Sequence, residues 1–135
     1  MVTDFEATHI QSITRKKTRL RSAYEESQLQ INCIKWFDYQ YPTMRKTLFA
    51  IPNGGKRNRR EAGRMKAEGV RAGTWDLFLA APRGVWAGMF IEMKMPGGVL
   101  SDSQKEFRDE VSKQYLKIVV YSFDEFKNNI TDYLK

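Results

Sequence analysis

Asp76, Glu92 and Lys94 are charged residues set against or inside apolar, strand-like runs. A charge carried into such surroundings is costly unless it is paired or bound to a cation. Asp76 opens Asp76-Leu77-Phe78-Leu79, and Glu92 and Lys94 lie in Met89-Phe90-Ile91-Glu92-Met93-Lys94. In a strand, residues two apart share a face, so Glu92 and Lys94 project together. The turn signal Pro82-Arg83-Gly84 between the runs predicts an antiparallel hairpin. The start of its first strand then lies beside the end of its second, and Asp76 arrives next to Glu92 and Lys94. Two carboxylates with an open side suit Mg²⁺, a hard cation that takes oxygen ligands and keeps several waters. Such a cation can polarise a phosphodiester and neutralise a leaving oxygen. Lys94 would either orient or deprotonate the attacking water or stabilise charge in the transition state, and the pattern leaves both roles open. Spacing alone is also compatible with a surface ion-pair cluster at a sheet edge. A second Glu-x-Lys, Glu125-Phe126-Lys127, falls in a helical pattern, where residues two apart do not share a face.

The elements that must position these residues follow from periodicity. Residues 1–22 are polar and end in Arg15-Lys16-Lys17-Thr18-Arg19-Leu20-Arg21. This stretch is expected to be a solvated tail or frayed helix, or else a basic arm for nucleic acid. The remainder, 23–135, is expected to be one domain. Leu29, Cys33, Trp36 and Phe37 recur at helical spacing between Tyr24 and Tyr39, with Pro42 beyond the stop. Cys33 lies in that stripe and reads as a small core residue. Strands are expected at 47–51, 75–81, 86–95 and 116–121, and helices at 57–69, from Ser101 onward and over 123–134. Ser101 with Gln104 has the form of a capping box. The order predicts a single α/β domain with a mixed four-stranded sheet flanked by helices.

Composition bounds the rest. The chain has 135 residues, one cysteine and one histidine, His9, with a formal net charge of +7. One cysteine excludes an internal disulfide, and with a lone histidine a Cys/His zinc site is not expected. No apolar run approaches the roughly 20 residues needed to cross a bilayer. The N-terminus lacks a secretory pattern, so no membrane association is expected. The expected setting is a reducing compartment, the cytoplasm of a bacterium or a phage-infected cell. The positive charge points to an anionic partner, nucleic acid being the commonest.

Several ordered motifs carry a resemblance. Asn53-Gly54-Gly55, then Gly69-Val70-Arg71-Ala72-Gly73-Thr74-Trp75-Asp76-Leu77, then Ile91-Glu92-Met93-Lys94, then Ser101-x-x-Gln104 resemble the VRR-NUC domain, the virus-type replication-repair nuclease of the PD-(D/E)XK superfamily. The likeness covers about residues 25–134. It implies the PD-(D/E)XK fold and divalent-metal-dependent hydrolysis of DNA, with Mg²⁺ as cofactor and Mn²⁺ able to substitute. The family also has an acidic residue near the start of its first helix, followed by glutamine one turn later. Glu26 with Gln30 fits that pattern best, and Glu25 is the alternative. The implied metal ligands are Glu26, Asp76, Glu92 and the backbone carbonyl of Met93, with Asp76, Glu92, Lys94 and Gln104 as catalytic residues. Gln104 would support the site or contact substrate, or serve its helix cap. Where the family usually has proline before the aspartate, this chain has Trp75, a packing residue or a stacking platform.

Lys56, Arg57, Arg59, Arg60, Arg64, Lys66 and Arg71 crowd between the first strand and Asp76. Phosphate contacts by Arg57, Arg59, Arg60, Arg64, Arg71 and Lys56, with Asn53, Gly54 and Gly55 beside them, are the expectation; a solvated helix face is the plainer one. The resemblance implies structured replication, repair or recombination intermediates such as four-way junctions as substrates, and pairing into a homodimer. The competing readings are a non-catalytic DNA-binding module on the same fold and a nuclease acting on RNA.

Overall fold

A computed structural model of the chain describes residues 4–53 and 58–135, with residues 4–10 described as helix backbone only. Helix α1 spans Asp4–Gln40, and strand β1 Leu48–Ala50. Helix α2 (Arg59–Ala67) follows, then strands β2 (Leu77–Leu79) and β3 (Gly88–Met93). Helix α3 (Asp102–Glu110), strand β4 (Tyr115–Val120) and helix α4 (Phe123–Tyr133) complete the chain. The sheet order is β1-β2-β3-β4. The first two pairings are antiparallel and β3 runs parallel to β4. This is the mixed sheet that the sequence predicts. The parallel step is possible because α3 carries the chain back across the sheet between β3 and β4.

Helix α1 begins at Asp4 rather than near Tyr24 and crosses position 22 without a break, so the described part of the basic stretch takes the helical form that was one of the expectations for it. The segment holds neither glycine nor proline. Once residues 24–40 are fixed by packing, extending the helix backward costs little per residue compared with nucleating one.

Alternation along the strands divides the sheet into two faces. Leu77, Leu79, Met89, Ile91, Met93 and Val120 point to one face and are buried there with Cys33 and Phe37 of α1 and Phe126, Ile130 and Tyr133 of α4. Burial pushes the Cys33 thiol up to about 12, which fits an inert core residue rather than a nucleophile. The other face carries aromatic rings. Phe90 sits 4.6 Å from Phe78 and 5.1 Å from Phe107 of α3 between ring centroids. Phe49, on the edge strand β1, is exposed and meets Phe78 edge-on. Among the described residues no helix is long and apolar enough to cross a membrane.

The last helix is tied down by a polar bond at its buried end. The Tyr133 hydroxyl donates to the Ala81 carbonyl at 2.7 Å, 52 residues away in sequence. Tyr133→Phe removes the donor and leaves a buried carbonyl unsatisfied, so a loss of about 1 kcal/mol is expected. It should appear as a lower urea midpoint with an unchanged slope.

Candidate active site

The β2–β3 hairpin sets the site. Leu77 pairs with Ile91, so one step outward Asp76 stands opposite Glu92, as the hairpin argument requires. The Asp76 carboxylate accepts the Met93 amide at 2.8 Å through Oδ2, which fixes its orientation at the strand end. The Asp76 carbonyl accepts the Ile51 amide at 2.9 Å, so β1 buttresses the same residue from its other side.

Glu92 is 2% exposed, the one buried charged residue among those described. Its Oε1 accepts the Gln104 side-chain amide at 3.0 Å, while Oε2 has no hydrogen-bond partner. Burial, and after it the neighbouring Asp76 carboxylate, pushes Glu92 up to about 9; Lys94 pulls the other way and Glu26 adds to the rise. Two carboxylates facing one another need a proton or a cation to share the space. Lys94 follows β3 on the Glu92 face, half-buried. Its backbone amide continues the β4 ladder by donating to the Val120 carbonyl at 3.0 Å.

Glu26 approaches from α1, where its Oε1 accepts the Met95 amide in a long 3.4 Å bond. A cavity of about 490 Å³ opens between α1 and the strand end, lined by Glu26, Gln30, Asp76 and Met93 among others. Glu25 instead pairs with Arg21 at 3.1 Å on the helix surface. Of the two glutamates, the fold turns Glu26 to the cavity, and the Glu26/Gln30 pair lines it together. Among the described residues no group of three or more Asp, Glu, His or Cys side chains is placed to hold a metal ion by itself.

Helix α3 closes the other side. Ser101 and Gln104 form the capping box read from sequence, with both reciprocal bonds present. Gln104 therefore caps its helix through Oε1 and holds Glu92 through Nε2 at once. Trp75 is buried, its indole N–H donating to the Gln104 carbonyl at 3.1 Å. That is packing, and a ring so enclosed offers no face to a base. Sequence reasoning missed this tether, since nothing local ties position 75 to 104. It also missed the close approach that permits it: a Cβ on Gly73 would sit 2.4 Å from the Ser103 backbone, and Gly73 has φ +84°.

The described part of the basic run lies on the surface. Arg59, Arg60, Arg64, Lys66 and Arg71 are all exposed. Arg64 pairs loosely with Glu68 at 3.8 Å. Helix α2 starts at Arg59 rather than Arg57, because Asn58 takes an extended conformation and caps it by accepting the Glu61 amide at 2.8 Å. Asn53 is exposed. Gly54, Gly55, Lys56 and Arg57, also expected to contact phosphate, lie outside the described residues.

The family model of the VRR-NUC domain matches residues 15–124, so the match includes the basic run that the resemblance had left out. A solved structure named "VRR_NUC domain protein" superposes with a TM-score of 0.68 at 25% identity, covering 81% of this chain and 87% of that one. No curated protein matches the chain.

Proposed function

The chain belongs to the VRR-NUC family, a nuclease-type domain of PD-(D/E)XK fold with nucleic acid as partner, and from that premise we propose that it is a divalent-metal-dependent endonuclease cutting branched DNA. The observation that carries the metal is Glu92: a buried carboxylate with one oxygen unpartnered, beside a second carboxylate. A hard cation meets that need where no protein donor does. Asp76, Glu92 and the Met93 carbonyl are the oxygens to hold it, with Glu26 adding charge from α1. So few protein ligands suit Mg²⁺, which keeps several waters, and Mn²⁺ would substitute. When bound, the cation supplies Lewis acidity toward the scissile phosphate and offsets charge on the leaving oxygen.

The chain's own groups do the rest. The Met93 amide and the Gln104 amide keep Asp76 and Glu92 in place before substrate arrives, the preorganisation on which electrostatic catalysis depends. Lys94 brings positive charge to the phosphate from the Glu92 face. Exposed Arg59, Arg60, Arg64 and Arg71, with Asn53, are suited to sequence-independent, salt-sensitive phosphate contacts. Replication, repair and recombination intermediates such as four-way junctions are the proposed substrates. A second copy bringing a second site would allow both strands of a junction to be cut.

The test is a panel of linear, single-stranded, flap and four-way-junction DNA with matched RNA, each with Mg²⁺, Mn²⁺ or chelator. Junction cleavage that needs the metal and is lost in Lys94→Ala is expected. Binding without cleavage of any substrate would replace the proposal with a non-catalytic DNA-binding module, and preferential cutting of RNA would reassign the substrate.

A further inference from the structure

The basic run of α1 has no part in the fold or in the site as described so far. Among the described residues, no apolar side chain of the helix before Leu29 packs into the core. Residues 11–21 are all exposed. They include Arg15, Lys16, Lys17, Arg19 and Arg21 and no acidic residue. Of these five cations only Arg21 has a carboxylate beside it among the described residues, that of Glu25 at 3.1 Å. Like charges four apart on a helix, as at Arg15 and Arg19, repel and weaken it. An anion laid along them removes that cost.

Helical geometry shows which of the cations share the side of the active site. The helix is unbroken from Asp4 to Gln40, so its faces stay in register. At about 100° per residue, Arg15 and Arg19 fall in one arc of roughly 60° with Glu26, Gln30, Cys33 and Phe37. One face of α1 therefore passes from core residues, through the glutamate and glutamine that line the cavity, to two exposed guanidinium groups. Lys16 lies in line with Ile34, another residue of the cavity wall, whereas Lys17 is on the opposite side. At about 1.5 Å per residue, Arg19 stands ~10 Å and Arg15 ~16 Å along the axis from Glu26. Duplex DNA has a phosphate on each strand about every 3.4 Å, so these distances span about three and five base pairs.

We propose that the first half of α1 is a rail for duplex DNA, on which Arg15 and Arg19, with Lys16 beside them, hold the phosphates of a paired arm leading away from the cut. The guanidinium fork matches two phosphate oxygens at once. A straight row of cations suits a straight duplex, whereas a single strand bends away from it. The rail adds a requirement that the metal site alone does not impose: a paired arm of about five base pairs on the α1 side of the scissile phosphate. This rests on the proposed nuclease reading, because the metal site fixes where along the rail the cut falls; the contact itself needs no metal.

Binding of the full chain to a four-way junction and to a single strand of the same length is therefore measured in chelator, over a series of salt concentrations. Arg15→Ala and Arg19→Ala should each weaken junction binding and lower the salt slope by about one. Lys17→Ala, which removes an equal charge from the opposite face, should leave the slope unchanged. All three put the best helix former at an exposed helical position, so circular dichroism should not change. Position is read with an iron chelate tethered to Ser12→Cys protein, Cys33 being buried. Ser12 is exposed on the basic face, and radicals released there should cut the junction more strongly than from a Lys17→Cys tether. Equal losses from all three alanine variants, unchanged slopes, equal cutting from the two tethers, or single strands held as tightly as the junction would overturn the inference. A rail that binds as expected in a protein that cleaves nothing with any metal would instead count against the nuclease reading, so the two failures are told apart.

Discussion

Asp76→Asn protein should lose metal-supported cleavage by on the order of 10³-fold, about 4 kcal/mol of transition-state stabilisation, while remaining folded and binding DNA. Asparagine is the informative replacement here. It keeps an oxygen for the Met93 amide, now bonded at 2.8 Å, so the hairpin end survives. What it removes is the negative charge facing Glu92. Asp76→Ala would confound the two effects by orphaning a main-chain donor. The measurement is junction cleavage at saturating protein, set beside DNA binding in chelator. Activity within tenfold of wild type would remove Asp76 from the site.

Glu92→Gln should abolish cleavage to a similar extent and yet make the metal-free protein more stable. The neutral amide keeps an acceptor for Gln104 and gains a donor to offer Asp76, so a buried, uncompensated charge disappears. A gain of about 2 kcal/mol is expected in chelator at pH 9. Its pH dependence has a definite sign. The native carboxyl titrates near 9 and the unfolded one near 4.5, so between those values the unfolded state has released a proton that the native state still holds. Wild-type stability falls as pH rises through that window and levels off above it. The advantage of the variant is accordingly absent near pH 4 and greatest at pH 9 and above. Divalent cation should raise the melting temperature of wild type at alkaline pH and leave Glu92→Gln unmoved. A variant less stable than wild type at every pH would mean that Glu92 is a structural residue with no cost to relieve.

Both expectations use features that the sequence made visible to different degrees. The hairpin was legible because its turn chemistry and two apolar runs fix strand direction, and direction alone carries Asp76 to Glu92. The capping box was legible because its partners are three residues apart. The first half of α1 was less so, since its scattered apolar residues among basic neighbours read equally as a solvated tail or a frayed helix until the helix behind it is seen to be anchored. Nor were the contacts of Trp75 and Gly73 with α3, which join residues about thirty positions apart and depend on where the helix lands. Helix α2 starts two positions later than composition suggests, because the Asn58 side chain caps it by accepting the Glu61 amide.

Gln104 answers to two masters in a way that restricts what may replace it. Its oxygen faces the Ser101 amide and its nitrogen faces Glu92, so neither end of the side chain is free and the amide cannot flip. Glutamate would keep the cap and set a third carboxylate against Glu92; asparagine is one methylene short of serving both ends; methionine matches the length and offers neither bond. The position is thus specified twice over, once by its own helix and once by the strand across from it. No other natural side chain meets both demands, and a library randomised at this codon would be expected to return glutamine.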